Sequence, residues 1–134
     1  MAWLEGTRPT DLGVRDGRLK PPPATPNAVS SQATTPYHAV EPLRYVGPAH
    51  RAAEALVEII QGFPRTTLVV RTDDYVRAEF KSAVLGFVDD VEFYLPPGQK
   101  VIHVRSASRL GHSDFGVNRK RVETIRAALA KRGI

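Results

Sequence analysis

GFVDDVEFYLPPGQKVIHVRSAS, residues 86–108, holds two runs of alternating side chains joined by PPGQ. Alternation with period two is the signature of a half-buried strand, and a Pro-Gly turn between two such runs predicts an antiparallel hairpin. GFVDDVEFYL (86–95) and KVIHVRSAS (100–108) are therefore its two arms. Setting Leu95 opposite Lys100 places Phe93 against Ile102 and Val91 against Val104 on the inner side. On the outer side, expected to face water, Glu92 meets His103 and Asp90 meets Arg105. Opposite charges across strands are favourable, so this register agrees with itself. One position stands out. Asp89 continues the inner series Phe87, Val91, Phe93 and sits opposite Ser106. A carboxylate on a core-facing position needs hydrogen bonds or a cationic partner, because desolvating it alone costs several kcal/mol. Ser106, Ser108, Arg109, Asn118, Arg119 and Arg121 are the available donors, unless a bulge at Asp89-Asp90 turns the side chain outward.

Upstream, TLVVR (67–71) and YVRAEFK (75–81) alternate in the same way around a TDD turn. Leu68, Val70, Val76, Ala78 and Phe80 share one face; Tyr75, Arg77, Glu79 and Lys81 are expected in water. AHRAAEALVEIIQ (49–61) follows Pro48, puts Ala52, Leu56, Ile59 and Ile60 on one stripe, and stops at Gly62. A final helix is expected after a Ser113-Asp114 cap, running to about Arg132 with Val122, Ile125 and Leu129 as its stripe. Eight of the eleven prolines lie in residues 1–48, and KPPPATPN (20–27) has no period. That region reads as extended coil and turns, VRDG (14–17) among them, with a short strand around Leu43–Val46. The expected fold is α+β: a two-layer, four-stranded antiparallel meander with two helices on one face and a Pro-rich N-terminal extended arm. Residues 1–47 are the arm and 48–134 the core of a single domain.

The totals narrow the function. A chain of 134 residues supports one modest core. The absence of cysteine removes disulfides, thiolate metal sites and cysteine nucleophiles. A net charge of +5, from 19 basic and 14 acidic residues, gathers at residues 105–121 and at the C-terminal AKRGI. A nucleic-acid binder would show a longer basic stripe interleaved with aromatics, so nucleic acid is not the expected partner. The start, MAWLEGTRPTDLG, lacks the pattern of a signal peptide, and no window reaches the ~18 apolar residues of a membrane span. The expectation is a soluble cytoplasmic protein.

RSASRLGHSDFGVNRKR (105–121) carries five Arg or Lys against one acid, Asp114. Basic residues are poorly placed at a helix start, where the macrodipole is already positive. Two answers are open. Asp89, with Asp90 nearby, neutralises the arginines inside the fold; or a phosphate, sulfate or carboxylate from outside does. In the second case Arg105, Arg109, Arg119 and Arg121 supply the forks, and Ser106, Ser108, Ser113 and Asn118 the neutral donors. His112-Ser113-Asp114 contains the residue types of a catalytic triad, but sequence neighbours seldom face one another, and Ser113 and Asp114 are better explained as cap and dipole partner. His38, His50, His103 and His112 have no ligand spacing, so neither a metal nor another cofactor is expected. TPNAVSSQ (25–32), with Asn27, Ser30, Ser31 and Gln32, reads as a polar turn bonded to its own backbone.

FVDDVEFYL, VIHVRSASRLGHSDFGVNRKRVETIR and PNAVSSQ together resemble domain of unknown function family 1499, found in bacteria and plant plastids. The resemblance runs from about Arg8 to Arg132, and the block RSASRxGxSDxGxNRxR is long enough to be specific. It brings no established reaction with it. It implies that the PNAVSSQ segment and the RSASR block belong to one domain, with the arm strapped over the polar cluster so that Asn27, Ser30 and Ser31 support it. Many relatives look like PCPxSPNCVSSQ, suggestive of a disulfide in exported members; Pro22 and Ala28 stand at those cysteines here. A function common to the family therefore does not depend on the two thiols. Three readings remain: binding of an anionic small molecule or lipid head group, an enzyme acting on such a ligand with Asp89 or His112 as acid or base, and a protein-interaction module whose polar cluster is structural.

Overall fold

A computed structural model describes residues 5–134. In chain order its elements are β1 (Ala28–Ser30), β2 (Leu43–Arg44), α1 (Ala49–Gln61), β3 (Thr66–Arg71), β4 (Tyr75–Lys81), β5 (Val88–Tyr94), β6 (Val101–Ser108) and α2 (Val117–Lys131). The fold is α+β: an antiparallel sheet of six strands in the order β1-β6-β5-β4-β3, with β2 also paired to β6. β1 takes the end of β6 around Ser106, and β2 takes its start around Ile102, so two short strands share one edge. β1 lies where a polar turn was expected. PNAVSSQ is a strand because Ala28 and Val29 are buried against the sheet, and Ser31 extends the ladder by exchanging backbone and hydroxyl bonds with Val104. VRDG does turn: Arg15 and Arg18 pair across Asp16 and Gly17, both left-handed with φ of 53° and 74°.

The hairpin of residues 86–108 forms two residues away from the expected register. Phe93 faces Val104, Val91 faces Ser106, Asp89 faces Ser108, Glu92 faces Arg105, Asp90 faces Ala107, and His103 pairs with Tyr94 rather than Glu92. Leu95 and Lys100 do not bond to each other. The Leu95 N–H donates to Asp74 O and the Lys100 carbonyl accepts from Tyr45, so neighbouring strands set the slip. A shift of two keeps every side chain on its face. The ladder from Asp89 to Tyr94 is unbroken on both sides, so no bulge turns Asp89 outward. A bulge does occur in β3, between Leu68 and Val70. It pairs Val70 with Arg77 and so moves Val70 off the core face to which alternation had assigned it.

The core lies between the inner face of the sheet and both helices. Val76, Ala78, Phe80, Val91, Phe93, Ile102 and Val104 meet Ala52, Leu56 and Ile60 of α1 and Val122, Ile125 and Leu129 of α2. The outer face is not wet as expected. Residues 5–21 cross it: Gly13 N–H donates to Glu92 Oε1 at 2.8 Å, Arg8 binds Glu79, and Arg105 reaches Pro21 O. Glu92, Asp90 and Arg105 are consequently buried. On the other side, Arg119 and Arg126, seven residues apart on α2, donate to the carbonyls of Tyr37, Ala39, Glu41 and Pro42 and hold that segment against the helix. Among the described residues no helix is long and apolar enough to cross a membrane.

Candidate functional site

α2 begins at Val117, behind Gly116 in the left-handed region, and Asp114 caps it from two residues further back. Asp114 Oδ1 accepts from Gly116 N–H at 2.9 Å, and Oδ2 accepts from the N–H and side-chain amide of Asn118 at 3.1 and 2.7 Å. Asn118 precedes Val122, Ile125 and Leu129 on the same stripe, so the helix period drives an amide into the core. It is fully buried and fully bonded. Asn118 Oδ1 accepts from Ser106 Oγ (2.6 Å) and Arg121 Nη1 (2.7 Å); Nδ2 also donates to Ser108 Oγ (3.0 Å) and to Asn27 O (3.2 Å). Arg121 continues the chain of contacts. Its Nη2 pairs with Asp89 Oδ2 at 2.8 Å, and its guanidinium stacks 4.7 Å from the Phe80 ring, directly across β4 from Asp89.

Period two separates the residues that the sequence grouped together. Ser106 and Ser108 point to the inner face with Asn118 and Arg121, whereas Arg105 and Arg109 point to the outer face. Arg109 there makes a two-pronged pair with Asp90 (2.7 and 2.8 Å) and a third bond to Glu79 (2.6 Å). The Asp90 hydrogen bond raises the Arg109 guanidinium above its ordinary value. Burial pushes the Glu79 carboxyl up, but hydrogen bonds and charge from Arg8 and Arg109 outweigh it and hold Glu79 below the carboxylate range. Arg119 sits in a third place, on the carbonyls of Tyr37 and Ala39. Ser30 accepts from the Gln32 N–H, and Ser31 bonds His103 Nδ1. Asn27 binds Gly111 O through its amide, tying β1 to the loop before α2. His112 is exposed. No group of three or more His, Asp or Glu that could hold a metal occurs among the described residues.

Beside the Asp89–Arg121 pair lies a groove of about 640 Å³. Phe63, Phe80, Phe87, Leu110, Phe115 and Val117 form its apolar walls; Arg65, Lys81, Lys120 and Arg121 are its cations. Asp89, Ser108, Ser113 and Asp114 also line it, so five of the residues singled out in the sequence meet there with aromatic neighbours that were not. Phe115 is 95% exposed and holds φ at 52°, a region that side-chain-bearing residues avoid at a cost of about 1–2 kcal/mol. Val84, in the β4–β5 loop that brings Phe87 to the groove, is 90% exposed. The signal for this was present: AVLGF (83–87) is apolar throughout at a strand connection, where polar residues are the rule.

A six-stranded antiparallel sheet backed by two helices, with a buried polar network at the start of the last helix, defines an α+β domain with an apolar groove at the loop end. The chain belongs to the family described as protein of unknown function (DUF1499), whose family model matches residues 18–129. That span takes in every strand and nearly all of α2 but begins after the segment that crosses Glu92. Comparison with curated proteins and with solved structures found no match.

Proposed function

We propose that the domain binds an anionic amphiphile at the groove between the β4–β5 loop and the start of α2, with the acyl chain on the phenylalanines and the charged head among the cations. The observation that carries this reading is the exposure of Phe115 beside Val117, Leu110 and Phe87 in a concave, cationic setting. Large apolar side chains clustered in the open mark a binding surface, and positive charge at the rim selects a negative head. Lys120 is exposed and makes no side-chain hydrogen bond or ion pair among the described residues, so its charge is free for a ligand. Arg121 is committed to Asp89, and Ser106 and Asn118 to Arg121; these form the floor rather than the contact. The same pairing argues against Asp89 as an acid or base.

Decyl phosphate in monomeric form, and vesicles with and without phosphatidylglycerol, separate a free amphiphile from a lipid surface as the source of the head group. Saturable binding of decyl phosphate, or vesicle association that requires the anionic lipid, is expected. Phe115→Ser and Lys120→Glu should each weaken it at least about tenfold. Equal association with neutral vesicles, or binding indifferent to both substitutions, would overturn the reading.

A further inference from the structure

On the opposite face of the sheet, β4, β5 and β6 bring Arg77, Glu92 and Arg105 into one cross-strand row. Two guanidiniums thus meet one carboxylate under the N-terminal segment. Glu92 is spoken for at Oε1, which accepts from Tyr75 Oη (2.7 Å) and Gly13 N–H (2.8 Å). Arg105 is not. Its Nη1 stands 3.8 Å from Glu92 Oε2, its Nη2 makes only a 3.4 Å hydrogen bond to Pro21 O, and neither its buried Nε nor Glu92 Oε2 has a hydrogen-bond partner among the described residues. A guanidinium 5% exposed with no good acceptor is costly, since buried charge is tolerated when it is paired and bonded. Arg109, two steps along the same face beyond Ala107, shows the satisfied arrangement: its Nε and Nη2 grip both oxygens of Asp90.

Arg105 lines a cavity of about 440 Å³ that runs beneath the proline-rich segment. Leu12, Pro21, Pro22 and Ala107 form its apolar wall, and Lys20 stands at the rim, paired with Asp11. We propose that this cavity is a binding site for a small organic monocarboxylate, held by the under-bonded guanidinium of Arg105. The row has one guanidinium more than it has carboxylates, which calls for a single negative charge. A planar carboxylate matches a guanidinium fork better than a tetrahedral dianion does. The apolar wall calls for a carbon body, and proline rings pack well on flat aromatic surfaces. Burial already draws the Arg105 guanidinium below its ordinary value against the pull of Glu92 and Asp90, so a further anion relieves the same deficit. This site is separate from the Phe115 groove, with the sheet between them.

Benzoate is the probe, benzyl alcohol its neutral counterpart and inorganic phosphate the dianion, each titrated into the full chain at constant ionic strength and followed by the side-chain Nε–H resonances of the arginines. Saturable movement of the Arg105 resonance by benzoate is expected, with a dissociation constant on the order of 1 mM or tighter and at least about tenfold preference over both other probes. Arg105→Lys keeps the charge without the fork and should weaken benzoate about tenfold or more. Ala107→Leu fills the cavity without touching any charge and should do the same, which keeps the test open if the lysine variant folds poorly. Lys120→Glu, in the other groove, should leave benzoate binding unchanged. No saturable benzoate response in the wild-type chain, or one that survives Ala107→Leu, overturns the proposal; so does loss of benzoate binding in Lys120→Glu.

Discussion

Asn118→Ala is expected to be the most damaging single polar substitution at the start of α2. The side chain makes five hydrogen bonds from a fully buried position, two of them to the ionised groups Arg121 and Asp114. Neutral bonds are worth about 0.5–1.5 kcal/mol net and bonds to charges about 1.5–3, but the whole sum is not lost. Asp114 keeps the N–H groups of Gly116 and Asn118, Arg121 keeps Asp89 and Ser106, and Asn27 O keeps the Ser108 N–H. What remains unpaired is the Ser106 hydroxyl proton, which had Asn118 as its acceptor. Adding the small cavity left by truncation, the loss should be about 3–4 kcal/mol. Urea unfolding reads it directly, as a lower midpoint at unchanged slope. Asn118→Asp should cost at least as much, because it places a second carboxylate against Asp114 and removes the donor to Ser108. Glu123→Ala, which breaks only an exposed pair with Arg126, should cost about 0.5 kcal/mol or less. A loss below about 1 kcal/mol for Asn118→Ala, at unchanged slope, would show that the network does not hold the start of the helix to the sheet.

Asp89→Ala leaves Arg121 with Ser106, Asn118 and the Phe80 ring, so its cost should fall below that of an isolated buried pair, at about 2–3 kcal/mol. Sulfate should then recover part of it in thermal melts at matched ionic strength, with no such effect on an Arg121→Met, Asp89→Ala double variant. Glu79 has a depressed carboxyl in the folded chain, so its stabilising contribution is complete above the ordinary carboxylate value near 4.5 and is lost as pH falls through the lower, folded one. Stability measured between pH 6 and about pH 3 should therefore decline less steeply in Glu79→Gln than in the wild type; equal slopes would count against the Arg8–Glu79–Arg109 cluster. Trypsin should cut slowly after Arg18, because Leu19 is buried and its N–H donates to Gln32 Oε1. Gln32→Ala should speed that cleavage, and prompt cutting of the wild type would show that the segment does not lie on the sheet as described.

Element type followed from periodicity for the two helices and for β3 to β6, but not for β1, which the sequence offered as a polar turn. The α1 stripe, the two-residue alternation of β4 to β6 and the Asp89 anomaly were all legible in 134 residues, because each depends on spacing within a single stretch. Asn118 was legible as a donor, though its place at the centre of the network required knowing that Ser106, Ser108 and Asn27 would arrive from two other strands. What the chain pattern could not reveal was which strand edges meet. Leu95 and Lys100 look like natural partners within the hairpin, yet they bond to residues 74 and 45, and that competition between neighbouring strands set the register. Likewise, alternation marks Arg77, Glu92 and Arg105 as one face but cannot say whether water or protein covers it. Residues 5–21 cover it, and in doing so convert what would be an ordinary surface charge row into a buried one with an unfilled donor. Local spacing decides which way a side chain points; only the assembled fold decides what it meets, because burial and ion pairing are properties of segments far apart in the chain.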